Sequence, residues 1–269
     1  MKFPVRSIVV LGILATVASP LSRALPEADA TAGRLIARRF GDTIVGVRCT
    51  IVMRLVIGDH AMPPSEQKID INGTMIADSG LTVTAFSAID PKAIFEASRA
   101  QFNNSNQSVD LGQTDFKALR LRLADGTEIP ARIAGKDPAR DLMFLMPDDA
   151  AAAGRRPFTY VNLNETPEAA KVLGDYFHLS RAGEVLQRVL LVRPSTVTGI
   201  IERPNRLLLV STDSFGDALG CPVFDSDGNV LGICVRYIEK GLPKGTVLIP
   251  AADLVAAMTK AMSHLPTGG

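Results

Sequence analysis

Tryptophan is absent from the 269 residues and tyrosine occurs three times, so few rings are available on which bases or sugars could stack. Charge of one sign is also missing. The 29 Lys and Arg residues against 28 Asp and Glu leave a net +1, which excludes a general phosphate-backbone binder and gives no reason to expect a nucleic-acid partner. Histidine is sparse: His60, His178 and His264 stand far apart, with no HxxxH or HxH pair, and the cysteines form no CxxC, so no metal site is indicated. No glycine-rich phosphate loop follows a strand pattern, and no cofactor is expected. Three cysteines, Cys49, Cys221 and Cys234, are an odd number and cannot build a full disulfide framework. With 46% hydrophobic and 21% charged residues, and with Gly and Pro scattered, disordered, collagen-like and coiled-coil classes are excluded.

Long hydrophobic runs are missing too. The main one, Ile8 to Ala18, has eleven residues, short of the roughly 20 that a membrane-spanning helix needs. Lys2 and Arg6 precede it, and Pro20, Ser22 and Ala24 follow, which is the pattern of a secretory signal peptide. Cleavage after Ala24 is expected, with Ala28-Asp29-Ala30 as an alternative; loss of Lys2, Arg6 and Arg23 then takes the net charge from +1 to −2. The chain is therefore read as residues 1–24, signal, and 25–269, one exported domain, secreted or periplasmic. No cysteine stands at the cleavage position to carry a lipid.

What is present is alternation. From Thr43 to Ile57 the alternate positions Val45, Val47, Cys49, Ile51, Met53, Leu55 and Ile57 are apolar, with Arg48, Thr50 and Arg54 between, which predicts a half-buried strand with Cys49 on its apolar side. Leu119, Leu121 and Leu123 alternate in the same way, and Ile129, Ala131 and Ile133 answer them across Asp125-Gly126-Thr127, a hairpin. Further short strands are expected at 71–77, 81–86, 142–146, 158–163, 171–179, 185–201, 206–212, 221–225, 230–237 and 245–249. Helical spacing is read only at the ends, over 28–40 and over 251–263, where Leu254, Val255, Met258 and Met262 follow Pro250. The polar stretch 101–115 reads as an exposed loop, and four Asn-x-Ser/Thr triplets, one at Asn72, carry no functional weight. Many short strands between turn signals make an all-β sandwich or barrel.

Three segments, in order, carry a resemblance. GTMIADSGLTVTAFSAI (73–89) looks like the histidine segment of the HtrA-type, trypsin-like serine proteases. AGKDPARDLMFLM (134–146) is similar to their aspartate segment, and STDSFGDALGCPVFDSDGNVLGI (211–233) to their serine segment. Smaller echoes are Gly174-Asp175, Val197-Thr198-Gly199-Ile200 and Val247 to Pro250. The resemblance runs from about 33 to 260 and stops where a PDZ domain would begin. It implies two six-stranded Greek-key barrels, the first over about 41–150 and the second over about 156–250, with a C-terminal helix at 251–263.

The same resemblance places the catalytic histidine on Ser87, the aspartate on Asp141 and the serine on Ala218. Only Asp141 is retained. A methyl group has no lone pair with which to attack a carbonyl, and a hydroxyl cannot serve as a general base near neutrality. The oxyanion loop falls on Gly216, Asp217, Ala218, Leu219 and Gly220, where Leu219 replaces a glycine, with Asp213 and Ser214 shortly before it. The resemblance thus implies a pseudoprotease that binds protein or extended peptide, or serves as a scaffold. An active hydrolase with a relocated set drawn from Cys221, Ser214 and His178 is the alternative, and a purely structural subunit a third reading. Cys221 and Cys234 flank the Asp227-Gly228 turn: a two-residue loop would set them opposite each other for a disulfide, and a three-residue loop would turn them to opposite faces.

Overall fold

Alternating apolar residues become two closed sheets in the computed structural model, which describes residues 27–102, 109–148, 157–166, 170–211, 217–239 and 242–262. The first sheet is built from β1 (Ile44–Ile57), β2 (His60–Ala61), β3 (Ser65–Met75), β4 (Thr82–Ala85), β5 (Val109–Arg122), β6 (Glu128–Asp137) and β7 (Leu142–Pro147). Its order is β2-β1-β3-β4-β7-β6-β5, and pairing of β1 with β5 closes the ring. The second holds β8 (Asp175–Arg181), β9 (Leu190–Ile201), β10 (Leu207–Val210), β11 (Pro222–Phe224), β12 (Val230–Glu239) and β13 (Leu242–Pro250). It closes as β10-β13-β12-β11-β8-β9. The fold is all-β, a trypsin-like double barrel with short helices α1 (Glu27–Phe40), α2 (Pro91–Phe102) and α3 (Ala251–Met262).

Period two decides which side chains fill which space. Val45, Val47, Cys49 and Ile51 of β1 point into the first barrel with Leu121, Ile129, Met143 and Leu145. Val223, Leu231, Cys234 and Leu248 fill the second. Strands that run between the barrels are apolar on both faces: Leu142 and Phe144 of β7 join Ile233 and Val235 of β12 and Val247 and Ile249 of β13 in a third cluster that also takes α1 and α3. That is why LMFLM and GICV read as unbroken apolar runs. Gly33 of α1 lies 3.3 Å, measured from an ideal Cβ, from the Phe177 ring, and Phe40 stacks on Phe224 with centroids 4.5 Å apart.

Several expectations needed correction. Helix α2 lies inside the chain, where none was read: the Asp90 carboxylate accepts from the N–H of Ala93 and Pro91 opens the first turn, a capping signal left unused. The stretch 101–115 is no single loop, since β5 already runs from Val109, half-exposed and paired to β1. Residues 158–163 form no strand; single bonds from Phe158 to Asp78 and from Val161 to Met75 tether a connection that buries Val161 and Leu163. β8 starts only at Asp175 because Leu173 is left-handed (φ 63°), and β9 only at Leu190 because Gln187 and Arg188 are too (φ 54° and 52°).

The disulfide is not formed: Cys49, Cys221 and Cys234 are buried free thiols. Near the turn the longer loop holds, with Asp225 donating to Asn229, but a bulge between Val223 and Phe224 restores the count so that Cys234 donates to the Cys221 carbonyl. The sulfurs then enter different apolar clusters. Among the described residues no helix is long and apolar enough to cross a membrane, and no group of three or more His, Cys, Asp or Glu could hold a metal ion.

Candidate functional site

The three segments converge where the barrels meet. β4 ends in a 3-10 turn, Phe86–Ala88, and a second such turn, Pro138–Arg140, delivers Asp141 in the left-handed region (φ 57°), a conformation that aspartate tolerates better than most residues. The Asp141 carbonyl accepts from the N–H of Phe86 at 3.0 Å, and its carboxylate accepts from the N–H of Ser87 at 2.6 Å. From the other barrel the N–H of Arg236, on β12, donates to the second carboxylate oxygen at 2.7 Å. Asp141 is 3% exposed, and burial raises its pKa above the usual carboxylate value, partly offset by the two N–H groups and the Arg236 charge.

Ser87 is equally buried, and among the described residues its hydroxyl has no hydrogen-bond partner of good geometry although it lies beside the carboxylate. It is oriented by its backbone, not by its side chain.

Position 218 sits on a turn clamped from the first barrel. Asn72, on β3, donates through its amide to the carbonyls of Asp217 (2.9 Å) and Arg181 (2.8 Å), and Thr74 donates to the carbonyl of Gly220 (2.6 Å). Gly220 is left-handed (φ 77°), and a Cβ there would run into the Asn72 carbonyl, itself the acceptor for Thr84. Gly220 also donates to Cys234 on β12, two residues before Arg236. At roughly 3.3 Å per strand residue, the points where β12 holds the turn and holds Asp141 are about 7 Å apart. Ala218 and Leu219 are both buried, so the side chain at 219 is turned into the protein. Gly216, Asp213 and Ser214 lie outside the described residues.

Beneath this turn stand groups that the sequence suggested as substitutes. His178, on β8, is 2% exposed; its Nε2 has no hydrogen-bond partner among the described residues, and burial lowers its pKa to about 4, opposed by the Ala218 backbone. The Cys221 thiol donates to the Asp217 carbonyl at 3.3 Å, and burial pushes its pKa well up. Burial likewise raises Cys49 to about 11 and Cys234 to about 12. Neutral, enclosed thiols of this kind are poor nucleophiles.

Two open cavities flank the junction. One, of about 460 Å³, is lined by Asp70, Asn72, Arg181, Arg188, Arg193 and Asp217 among others. Its guanidinium groups are engaged: Arg193 forks onto the Asp217 carboxylate (2.9 and 3.2 Å), Arg188 bridges Asp70 and Asn72 at 2.8 Å each, and Arg181 donates to the carbonyls of Gly41, Ile44 and Arg188. The other, of about 380 Å³, opens beside Asp141 between the Pro138–Arg140 turn, the β9–β10 connection and β12. Asn72, Arg193 and Arg236 were missed in the sequence. A polar Asn72 within the buried end of β3 and an Arg193 breaking the run Leu190-Leu191-Val192 are the signals that could have found two of them.

Residues 71–233 match the family of the trypsin-like peptidase domain. A comparison with curated protein sequences finds no match. Among solved structures, a serine endoprotease from Yersinia pestis is similar at 17% identity and TM-score 0.56, covering 86% of this chain and 67% of that one. An HtrA-type protease, AlgW, with a tripeptide is similar at 12% identity and TM-score 0.59, covering 86% and 64%. Rv3671c from M. tuberculosis H37Rv, in an inactive form carrying a serine-to-alanine substitution, is similar at 14% identity and TM-score 0.56, covering 89% and 96%. The chain thus spans about two thirds of the length of the first two.

Proposed function

Because the chain belongs to the trypsin-like peptidase domain family, we propose that it is an exported pseudoprotease that holds protein or extended peptide without cleaving it. One observation carries this reading. The Asp141 carboxylate is placed to orient a base, yet the residue whose N–H it accepts offers a buried hydroxyl, and position 218 offers a methyl group. Acyl transfer needs a nucleophile, a base within reach and an acid that holds the base's tautomer; the third alone gives no covalent chemistry.

Binding is supported by β12. From Arg236 onward this strand pairs with β13 on one side, while on the other its first N–H goes to Asp141 and no further strand lies alongside among the described residues. An exposed edge next to a cleft is suited to an extended peptide added as a strand. A relocated catalytic set is opposed by the burial of Cys221 and His178 and by the raised thiol pKa.

Purified protein incubated with casein and with a p-nitrophenyl ester is expected to show no turnover above blank. Turnover that disappears on Cys221→Ala, Ser214→Ala or His178→Gln would establish the hydrolase instead. In the double variant Ser87→His with Ala218→Ser, slow ester hydrolysis sensitive to phenylmethylsulfonyl fluoride is expected, since Asp141 is already in place.

A further inference from the structure

The cavity beside Asp141 combines an apolar floor with a cationic rim. Ile201, Leu207, Val235, Val247 and Ile249 line it below, and Arg140, Arg203 and Arg236 stand around it. Arg140 is already bound to Asp137 at 2.7 Å. Arg203 and Arg236 have no ion pair among the described residues; Arg236 acts only through its charge on buried Asp141. Glu202, the chain neighbour of Arg203, pairs instead with Arg206 at 3.7 Å. This differs from the first cavity, where each guanidinium has its acceptor on the same wall.

Guanidinium groups that have no ion pair among the described residues and stand beside an apolar surface are complementary to carboxylates, which they bind in a planar two-bond fork. A volume of about 380 Å³ is at the small end for ligand pockets and accommodates a few side chains, not a whole folded partner. The open edge of β12 supplies the backbone contacts that keep an extended segment in register, with alternate side chains facing the floor. We propose that this cleft selects an acidic extended peptide: an aliphatic side chain seats on Ile201 and Leu207, above the buried Val235 and Ile249, and flanking Asp or Glu carboxylates reach Arg203 and Arg236. This inference rests on the peptide-binding reading above and adds the chemical class of the peptide.

The test uses the full chain and three fluorescent octapeptides, each with a central Val-Leu pair, flanked by Asp and Glu, by Asn and Gln, or by Lys. Fluorescence anisotropy is expected to give about tenfold tighter binding of the acidic peptide than of its amide counterpart at low salt, with the advantage shrinking as salt screens the charges. Arg203→Glu and Arg236→Gln keep the Arg236 backbone N–H and are each expected to weaken the acidic peptide about fivefold or more while leaving the amide peptide within about twofold. Circular dichroism melts that match wild type establish that the variants are folded. Equal binding of all three peptides, or an acidic preference untouched by both variants, overturns the proposal and leaves peptide binding standing. Absence of binding by every peptide sinks the peptide-binding reading itself. Dodecanoate that displaces the acidic peptide and binds more tightly would assign the cleft to a fatty acid and overturn the proposal as well.

Discussion

Asp141 and Ser87 are joined the wrong way round for catalysis by the serine itself: the backbone N–H of Ser87 donates to the Asp141 carboxylate, and the Ser87 hydroxyl is left without a well-formed bond. The aspartate therefore works as a cross-barrel staple, with Arg236 completing it from β12. Replacing Ser87 with alanine removes an unsatisfied buried hydroxyl and keeps the N–H, so stability is expected to change by less than about 1 kcal/mol. Asp141→Ala strips two buried N–H groups of their acceptor and is expected to cost about 2–4 kcal/mol. Urea denaturation of the two variants checks the pair, and a large loss for Ser87→Ala would contradict the geometry.

Gly220 answers to backbone geometry. Its φ of 77° disfavours any other residue, and a Cβ would overlap the Asn72 carbonyl, which is fixed by Thr84 and by the β1–β3 pairing. Gly220→Ala is expected to destabilise by roughly 2–4 kcal/mol, through strain plus displacement of β3. Thermal melts read this directly, and a shift under about 2 °C would show that the turn can relax.

The Arg193–Asp217 fork is half-shielded, with side chains 25% and 14% exposed, and it ties β9 to the turn that carries Ala218. Charge-assisted, two-bond pairs of this kind couple more strongly than surface ion pairs. A double-mutant cycle with Arg193→Met and Asp217→Asn is expected to give a coupling of about 1–3 kcal/mol. Additive losses would mean that the fork is geometric only.

His178 makes stability depend on pH. Its pKa falls from 6.5 to about 4 on folding because burial disfavours the imidazolium; Arg193 adds to this, while Ala218 and Asp217 act against it. Between these values the unfolded chain binds the extra proton, so the contribution is complete above pH 6.5 and is lost as pH falls toward 4. The loss is of order 2–3 kcal/mol. Asp141, with its raised pKa, works in the opposite direction: its charge costs stability as pH rises through its folded pKa, and acidification relieves that cost. Melting wild type and His178→Gln between pH 7 and pH 4.5 separates them. The wild type is expected to lose stability more steeply on acidification, and parallel curves would rule His178 out as the cause.

Much of the fold could be read along the chain because each signal was local. The alternation of Val45, Val47, Cys49 and Ile51 requires only that neighbouring residues face opposite sides, and the Asp125-Gly126-Thr127 hairpin closes where its turn residues stand. Where the reading failed, a local signal was outweighed or overlooked. Residues 158–163 alternate because one side lies on the core, not because a neighbouring strand pairs with them. Helix α2 has a weak amphipathic pattern, and its clearest mark is the Asp90-Pro91 start. The Cys221–Cys234 register depended on a bulge that no turn sequence announces.

Sequence alone determined the residue types, and with them the chemistry they can and cannot supply: serine at 87, aspartate at 141, alanine at 218, in an order and context that identify the fold. Tertiary structure decided what those residues touch. Asp141 meets Ser87 across 54 positions and Arg236 across 95, and Asn72 reaches the Asp217 carbonyl across 145. Propensity and periodicity act over a few neighbouring residues, whereas a hydrogen bond between distant segments exists only once barrel closure has brought the strands together, and so the staple, the clamped turn and the arginine-rimmed cleft are properties of the packed chain.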